Sequence, residues 1–546
     1  MPRVPRREFI QSAIVGGAAL AVPRLRSTRS RLADSHIEIL LDEPIGTIAP
    51  EVYGHFTEHL GGVIYDGLWV GENSKIPNVG GVRKALIDAL RRIKPSVIRW
   101  PGGCFADSYD WRDGVGPRDK RPVRTNVWAG EDGLKNVAGG PAKYEPNEFG
   151  TTEFVRFCRA VGAQPYLAVN LRKLPATAFD QWLEYCNAPA GTTTWGNVRA
   201  ASGDREPYNV RYWGVGNEAW GCGGNFTPEE YAEEYRRFTT WSVPQFGVDL
   251  NFIGSGPNGR DTEWTRRMFA ALAERNSLDR MWGLSMHHYT DAPDSGHDAI
   301  AFDERGWYDL LVSGDRIESI IASIWETMRL ADRSHRVKLV VDEWGAWHRN
   351  APLVDPSHLF ESQSTMRDAL VTGLSLDIFH RHADKVAMAN VAQLINCIHS
   401  LFFSHEERFC VSPAYHVFAM YAAHQGAQSV RTLVSAPRVS WQAKNGNRDA
   451  LWGLNGSASR KGREVTLTLT NTSLTDVRNA EVVVRGGMVG SARMTVLRAD
   501  SVHDVNTFEQ PSAIMPITSD IAARDLASPV VIPPASVVKL ALTLAA

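Results

Sequence analysis

Two apolar runs in this 546-residue chain each end in a glutamate: Tyr212-Trp213-Gly214-Val215-Gly216-Asn217-Glu218 and Lys338-Leu339-Val340-Val341-Asp342-Glu343-Trp344. A carboxylate at the end of a buried run is costly unless it is paired or used. Two of them facing each other are the machinery of glycoside hydrolysis. One protonates the leaving oxygen, and the other stays ionised and attacks the anomeric carbon. Asn-Glu or Asp-Glu alone is a weak motif; placement at the ends of two apolar runs is what lifts this pair above surface acids. The 17 Trp and 14 Tyr add flat, amphipathic rings that pack cores or bind sugars.

A second chemistry is written in His55-Phe56-Thr57-Glu58-His59, which satisfies H-x-x-E-H, an inverted zinc-protease signature. On a helix its two histidines would share a face and bind zinc. Gly54 before it, Gly61-Gly62 after it, and Val52, Tyr53 and Phe56 favour a strand instead. Cys104 could serve as a nucleophile, but no His-Asn pair is evidently placed to activate it, so a buried or sugar-contacting thiol is favoured. Cys222, set among Gly221, Gly223 and Gly224, is either free or paired; the sequence leaves both open.

The carboxylates need a scaffold that brings distant strand ends together. Eight strand-like runs alternate with helical patterns: Glu51–Phe56, Ser96–Trp100, Pro165–Asn170, Arg211–Gly216, Leu250–Gly254, Met281–His287, Val337–Asp342 and Val386–Leu394. Between them lie helical segments such as Val82–Ile93, Thr152–Val161, Pro228–Phe238, Arg316–Ala331 and Ser364–His382. This is the alternation of an α/β chain that closes into a (β/α)8 TIM barrel. A doubly wound open sheet competes, but the Gly-rich phosphate turn it often carries is not found here. In a barrel the strand ends share one mouth, and Glu58, Cys104, Asn170, Glu218, Tyr289, Glu343 and Gln393 fall at them. From about residue 428 the texture changes to short alternating runs such as Glu464–Thr470 and Ser536–Leu544, which read as an antiparallel, jelly-roll-like β-sandwich. His36–Leu41 also alternates and is expected to pair with it. The expected division is therefore 1–35 leader, 36–46 joining strand, 47–427 barrel and 428–546 sandwich.

The bulk composition narrows the class. Hydrophobic residues are 43% and charged residues 22%, the net charge is −2, and there are six Cys. These values exclude disorder, a strong basic field for nucleic acid and a disulfide scaffold. At the N-terminus Arg6-Arg7 precedes the short apolar run Ser12–Val22, with Ala19-Leu20-Ala21 as a cleavage candidate. That pattern predicts a twin-arginine-type signal peptide and an exported, periplasmic or secreted protein, not held in a membrane after cleavage.

Five ordered motifs carry a family resemblance: Tyr53-Gly54-His55-Phe56-Thr57-Glu58-His59-Leu60-Gly61, Arg99-Trp100-Pro101-Gly102-Gly103-Cys104-Phe105, Trp111-Arg112-Asp113-Gly114-Val115-Gly116-Pro117, Gly216-Asn217-Glu218 and Asp342-Glu343-Trp344. The chain resembles the α-L-arabinofuranosidases of glycoside hydrolase family 51. The resemblance implies a retaining, exo-acting enzyme that releases terminal arabinofuranose from arabinose-containing oligosaccharides or polysaccharides. It implies Glu218 as acid/base and Glu343 as nucleophile. Asn217 would bind the sugar 2-hydroxyl, Glu58 the furanose hydroxyls, and Cys104 would contact the same subsite. Tyr289 would hydrogen-bond the nucleophile, Gln393 would close the sugar pocket, and Trp347 would line its rim. No cofactor and no metal are expected, and the resemblance implies a homo-oligomer, a trimer or hexamer as in many bacterial relatives. Leu171-Arg172-Lys173 and the Gly-rich insert Trp128–Tyr144 depart from the family pattern and put aglycone preference in question.

Three other readings compete. A zinc metalloprotease through His55, Glu58 and His59 requires a helix there. A non-catalytic sugar-binding protein would most simply lack one of the two carboxylates, and both are present. A β-xylosidase or endoglucanase could use the same two glutamates, so only the pocket residues argue for a furanose.

Overall fold

The computed structural model describes residues 32–126, 128, 144–242, 246–444, 446–522, 525 and 528–545. The leader expected over residues 1–35 therefore lies almost wholly outside the described residues, as does most of the Gly-rich insert.

Eight strands form a closed parallel barrel in sequence order: β1 (Gly54–Phe56), β2 (Val97–Trp100), β3 (Gln164–Val169), β4 (Tyr212–Val215), β5 (Asn251–Gly254), β6 (Met281–Thr290), β7 (Lys338–Ala346) and β8 (Val386–Ala392). β8 pairs with β1 and closes the ring. These strands match the expected runs, with one change at the start. Pro50–Tyr53 forms a 3-10 turn before β1, so only the end of the first run is strand. Two helices not read from the sequence, Thr194–Ala201 and Glu304–Asp315, are also present. The helix Pro228–Thr239 begins as its local code requires. The Thr227 side chain accepts from the Glu230 backbone, Glu230 reaches back to Thr227, and Pro228 occupies the first position.

Strand periodicity of two builds the barrel interior in layers. Val97, Tyr166, Tyr212, Ile253, Val340 and Met388 form a buried apolar cluster drawn from six strands. Two residues further along β2, β7 and β8 stand Arg99, Asp342 and Asn390, a polar layer above the apolar one. Asp342 accepts from Asn390 Nδ2 at 2.8 Å and from the Tyr166 hydroxyl at 2.9 Å, and lies 3.4 Å from Arg99 Nε.

Of the remaining described strands, nine form one sheet that includes the N-terminal strand Ser35–Thr47, and the others form four two-stranded ribbons. That strand pairs antiparallel with Gln428–Ser435 but parallel with Arg478–Arg485, so the purely antiparallel expectation is corrected at this pair. The physical reason is that Ser35–Thr47 arrives from outside the domain and fills a gap between two strands that run in opposite directions. Val465, Leu467 and Leu469 face the sheet's own core, where Ile37, Ile39, Leu540 and Leu542 meet them. The alternate Thr468 donates to Asp377 on the helix Met366–Arg381. Every residue of that helix from Met366 to His380 is buried, since it lies between barrel and sheet. Burial pushes the Asp377 carboxyl up to about 7 despite hydrogen bonds from Ser457, Thr468 and Tyr421. No helix among the described residues is long and apolar enough to cross a membrane.

Candidate active site

The barrel mouth gathers residues from six of its strand ends. Glu343 is inside β7, where strict alternation would turn it away from Asp342 and out of the barrel. The pairing of β6 with β7 explains why it does not. Met286 opposes Val341 but the next residue, His287, opposes Glu343, so Asp342 is an extra residue on β7. Such a bulge re-aims the following side chain, and both acids reach the interior. Glu343 Oε1 accepts from Arg99 Nη1 at 2.7 Å and Glu343 Oε2 from the Tyr289 hydroxyl at 2.7 Å.

Glu218 follows β4 through Gly216 (φ +81°) and itself sits at φ +40°, a left-handed turn that aims its side chain back over the mouth. His287 Nδ1 lies 2.9 Å from Glu218 Oε1 and 3.5 Å from Glu343 Oε2, so one imidazole bridges the two acids. An oxygen from each carboxylate lies within 4.8 Å of the other. Burial alone would lower the His287 pKa; the Glu343 charge and the Glu218 hydrogen bond override it and raise it above the ordinary histidine value. Burial works against the Arg99 cation as well, but Asp342 and Glu343 hold it firmly protonated.

Glu58, just beyond β1, accepts from the backbone N–H groups of Gly103 (2.9 Å) and Phe105 (3.0 Å) and from Gln393 Nε2 (2.8 Å). Burial, reinforced by the Glu343 charge, raises its pKa to about 7 against those donors. Asn217 Oδ1 accepts from Arg99 Nη2 at 2.6 Å. Trp347 stacks edge-on against Tyr289 with ring centres 4.8 Å apart and against Phe360 at 5.0 Å. Arg99 thus joins Asn217 to Glu343, and His287 joins Glu218 to Glu343. Tyr289 bonds Glu343 and carries Trp347, and Glu58 forms a separate pair with Gln393.

Cys104 requires a correction. It is not a thiol: it is bonded to Cys222, with an S–S distance of 2.11 Å. The two sulfurs lie 3.8 and 3.6 Å from Glu218 Oε2 as packing contacts, because a disulfide sulfur has no proton to donate. The loops after β2 and β4 bring these cysteines together from 118 positions apart, which no local pattern could reveal. The zinc-protease reading fails on geometry. His55 lies in β1 with its ring tilted against Phe418, and burial lowers its pKa to about 3. His59 uses one ring nitrogen on Glu145 and the other on Trp100, while Glu58 faces the catalytic mouth.

Four participants were not assigned a role from the sequence: Arg99, His287, Asp342 and Asp107. Arg99 carried a usable signal, a lone cation inside Val97-Ile98-Arg99-Trp100. Asp107 carried none. It is buried beside β2, accepting from the N–H groups of Leu171 (2.8 Å), Arg172 (3.2 Å) and Asn217 (3.1 Å), and burial raises its pKa to about 7.

Comparison with known proteins follows this geometry. Family models described as the α-L-arabinofuranosidase 1 domain and the α-L-arabinofuranosidase C-terminal domain match residues 89–306 and 342–536. The chain is 34% identical to an intracellular exo-α-L-arabinofuranosidase of Bacteroides ovatus, over 88% of this chain and 90% of that one. It is 32% identical to an intracellular exo-α-(1→5)-L-arabinofuranosidase of Acetivibrio thermocellus, over 65% and 69%. The crystal structure of the GH51 arabinofuranosidase from Xanthomonas axonopodis pv. citri superposes with a TM-score of 0.85 at 34% identity, covering 94% of this chain and all of that one. The expectation of export is corrected by these names, since both relatives are called intracellular. That expectation rested on Arg6-Arg7 and the apolar run Ser12–Val22, which lie outside the described residues. With a parallel barrel, a C-terminal β domain and this similarity along nearly its whole length, the chain belongs to the α-L-arabinofuranosidases of glycoside hydrolase family 51 and is an exo-acting glycoside hydrolase.

Proposed function

We propose that Glu343 is the nucleophile and Glu218 the acid/base of a double displacement that releases arabinofuranose from arabinose-containing oligosaccharides or polysaccharides. The observation that carries this reading is the single imidazole of His287 shared by both carboxylates, with their oxygens within 4.8 Å of each other. That spacing is in keeping with the separation of about 5–5.5 Å used by retaining glycosidases and shorter than the ~6.5–9.5 Å of inverting ones.

The surroundings support different roles for the two acids. Glu343 has one oxygen on Arg99 and one on Tyr289, which orients it for attack on the anomeric carbon. Among the described residues the Glu218 side chain hydrogen-bonds His287 and lies against the disulfide, and it is 21% exposed against 7% for Glu343. It is free to give a proton to the departing oxygen and then to take one from the incoming water. Asn217, its amide oxygen fixed by Arg99, presents its N–H groups to the sugar 2-hydroxyl. Glu58, steadied by Gln393, accepts from furanose hydroxyls, and Trp347 supplies an apolar wall beside Tyr289. The Cys104–Cys222 disulfide packs against Glu218 and limits its swing.

Azide rescue tests the assignment. From an α-linked aryl arabinofuranoside, Glu218→Ala is expected to give a burst, then a slow steady state that azide accelerates. The product is the α-configured azide after two inversions. Glu343→Ala with azide is expected to give the β-configured azide after one. The same anomer from both variants, or rescue of neither, removes the assignment.

A further inference from the structure

The described residues contain three clusters with the chemistry to ligate a metal. Two of them, Glu218–His287–Glu343 and Cys104–Glu218–Cys222, belong to the catalytic mouth and its disulfide. The third is Asp66, His358 and His405, and the proposed reaction does not use it. Asp66 and His358 lie on the loops after β1 and β7, and His405 ends the strand Phe402–His405 of the hairpin that follows β8.

The spacing fits a four-coordinate ion. Zinc bonds of about 2.0–2.1 Å in a tetrahedron give ligand-to-ligand edges of about 3.3 Å. His358 Nε2 lies 3.3 Å and His405 Nδ1 3.1 Å from the same oxygen, Asp66 Oδ2. One donor atom from each of the three residues lies within 4.8 Å of the other two. Two imidazoles and a carboxylate are a donor set suited to zinc and related divalent transition metals.

A second observation points to a ligand. His358 is only 2% exposed, yet neither of its ring nitrogens completes a hydrogen bond. Carboxylate oxygens stand at 3.3 Å and 3.2 Å, but the ring nitrogens do not aim at them. A ring nitrogen directed beside an oxygen, rather than at it, is the arrangement in which both bind a common cation. The supporting groups of a metal site are also in place. Glu361 Oε2 lies behind the other nitrogen of His358, and Asp66 Oδ1 accepts from the Glu406 backbone N–H at 2.8 Å. Gly62 leaves room for the His358 ring, because a Cβ there would fall 2.4 Å from Nε2. A cavity of about 300 Å³ reaches Asp66 and His358 and gives an ion a way in.

We propose that Asp66, His358 and His405 form a structural site for a divalent transition-metal ion of the zinc class, clamping the segments that follow β1, β7 and β8. This departs from the sequence expectation of no metal, although the site is separate from the two glutamates. It could not be read from the sequence, because its ligands are single residues drawn from three distant segments.

The test uses the full-length enzyme, dialysed against a chelator and titrated with zinc chloride. The expected result is one zinc bound per chain and a rise in Tm of about 2 °C at saturation. His405→Ala and His405→Gln are expected to abolish both the binding and the Tm rise while keeping zinc-free turnover. An anomalous difference map at the zinc edge of wild-type crystals should place the ion between the three side chains, whatever the variants do. Lack of stoichiometric binding overturns the proposal and leaves His358 as an imidazolium between two carboxylates. Binding that survives both His405 variants, or an anomalous peak at Glu218 and Glu343, overturns it as well.

Discussion

Arg99 and Glu343 meet at 2.7 Å with side chains 1% and 7% exposed, one from the end of β2 and the other from the bulge in β7. The same guanidinium reaches Asn217 at 2.6 Å and approaches Asp342 at 3.4 Å. One buried cation therefore balances two acids and fixes the residue beside the proposed acid/base.

Removing that cation should cost both fold and rate. Arg99→Met leaves two buried carboxylates without a counter-charge, a loss of about 3–5 kcal/mol. Arg99→Lys restores charge but not the fork that spans Glu343 and Asn217. It is expected to recover part of the Tm while kcat/KM stays down by about 100-fold. Calorimetry and aryl arabinofuranoside kinetics measure the two effects, and an unchanged Tm in Arg99→Met would refute the argument.

Glu58 is expected to trade stability for binding. Its pKa is about 7 when folded against an ordinary value of 4.5, so between those values the folded enzyme keeps a proton that the unfolded chain has lost. Its contribution to stability therefore declines as pH rises from about 4.5 to about 7, and the cost of a buried charge is complete above that. In Glu58→Gln the amide oxygen still accepts from Gly103 and Phe105. A flipped Gln393 can receive the new N–H groups on its Oε1, which has no partner at present. The variant should be more stable than wild type at pH 8 by about 1–3 kcal/mol, show no such gain near pH 4.5, and bind substrate poorly. A stability difference that does not vary with pH would count against burial as the cause.

Asp107 acts on the reaction through Asn217. In Asp107→Asn the single amide oxygen can still serve Leu171 and Arg172, but the new NH2 then confronts the Asn217 N–H. The turn carrying Glu218 should shift, and kcat should fall by about 10-fold or more with little change in KM. Normal kcat in a folded Asp107→Asn enzyme would remove its positioning role.

Gly373 reports on how closely barrel and sheet are packed. An alanine inside a helix is ordinarily better than glycine by about 1 kcal/mol. Here a Cβ would lie 2.6 Å from Thr470 Oγ1. Gly373→Ala should therefore destabilise by about 1–3 kcal/mol. A higher Tm in that variant would mean the sheet gives way more easily than this spacing allows.

The chain's local patterns determined a good deal. Eight apolar runs alternating with helical periodicity specified a parallel barrel, because only a buried strand reads as continuously apolar. Glu218 and Glu343 stood out because a carboxylate ending such a run must be used or paired, and the strict alternation of Glu464–Thr470 announced a sheet. Other features depend on atoms that are neighbours only after folding. The bulge at Asp342 is set by the register between β6 and β7, and without it the period of two would turn Glu343 away from the mouth. The Cys104–Cys222 bond, the His287 bridge, and the cluster of Asp66, His358 and His405 each join residues from elements far apart in the chain. A sequence records which side chains a strand or helix carries and with what period. Which of them meet across the barrel mouth is decided by closure of the ring, and closure is a tertiary event.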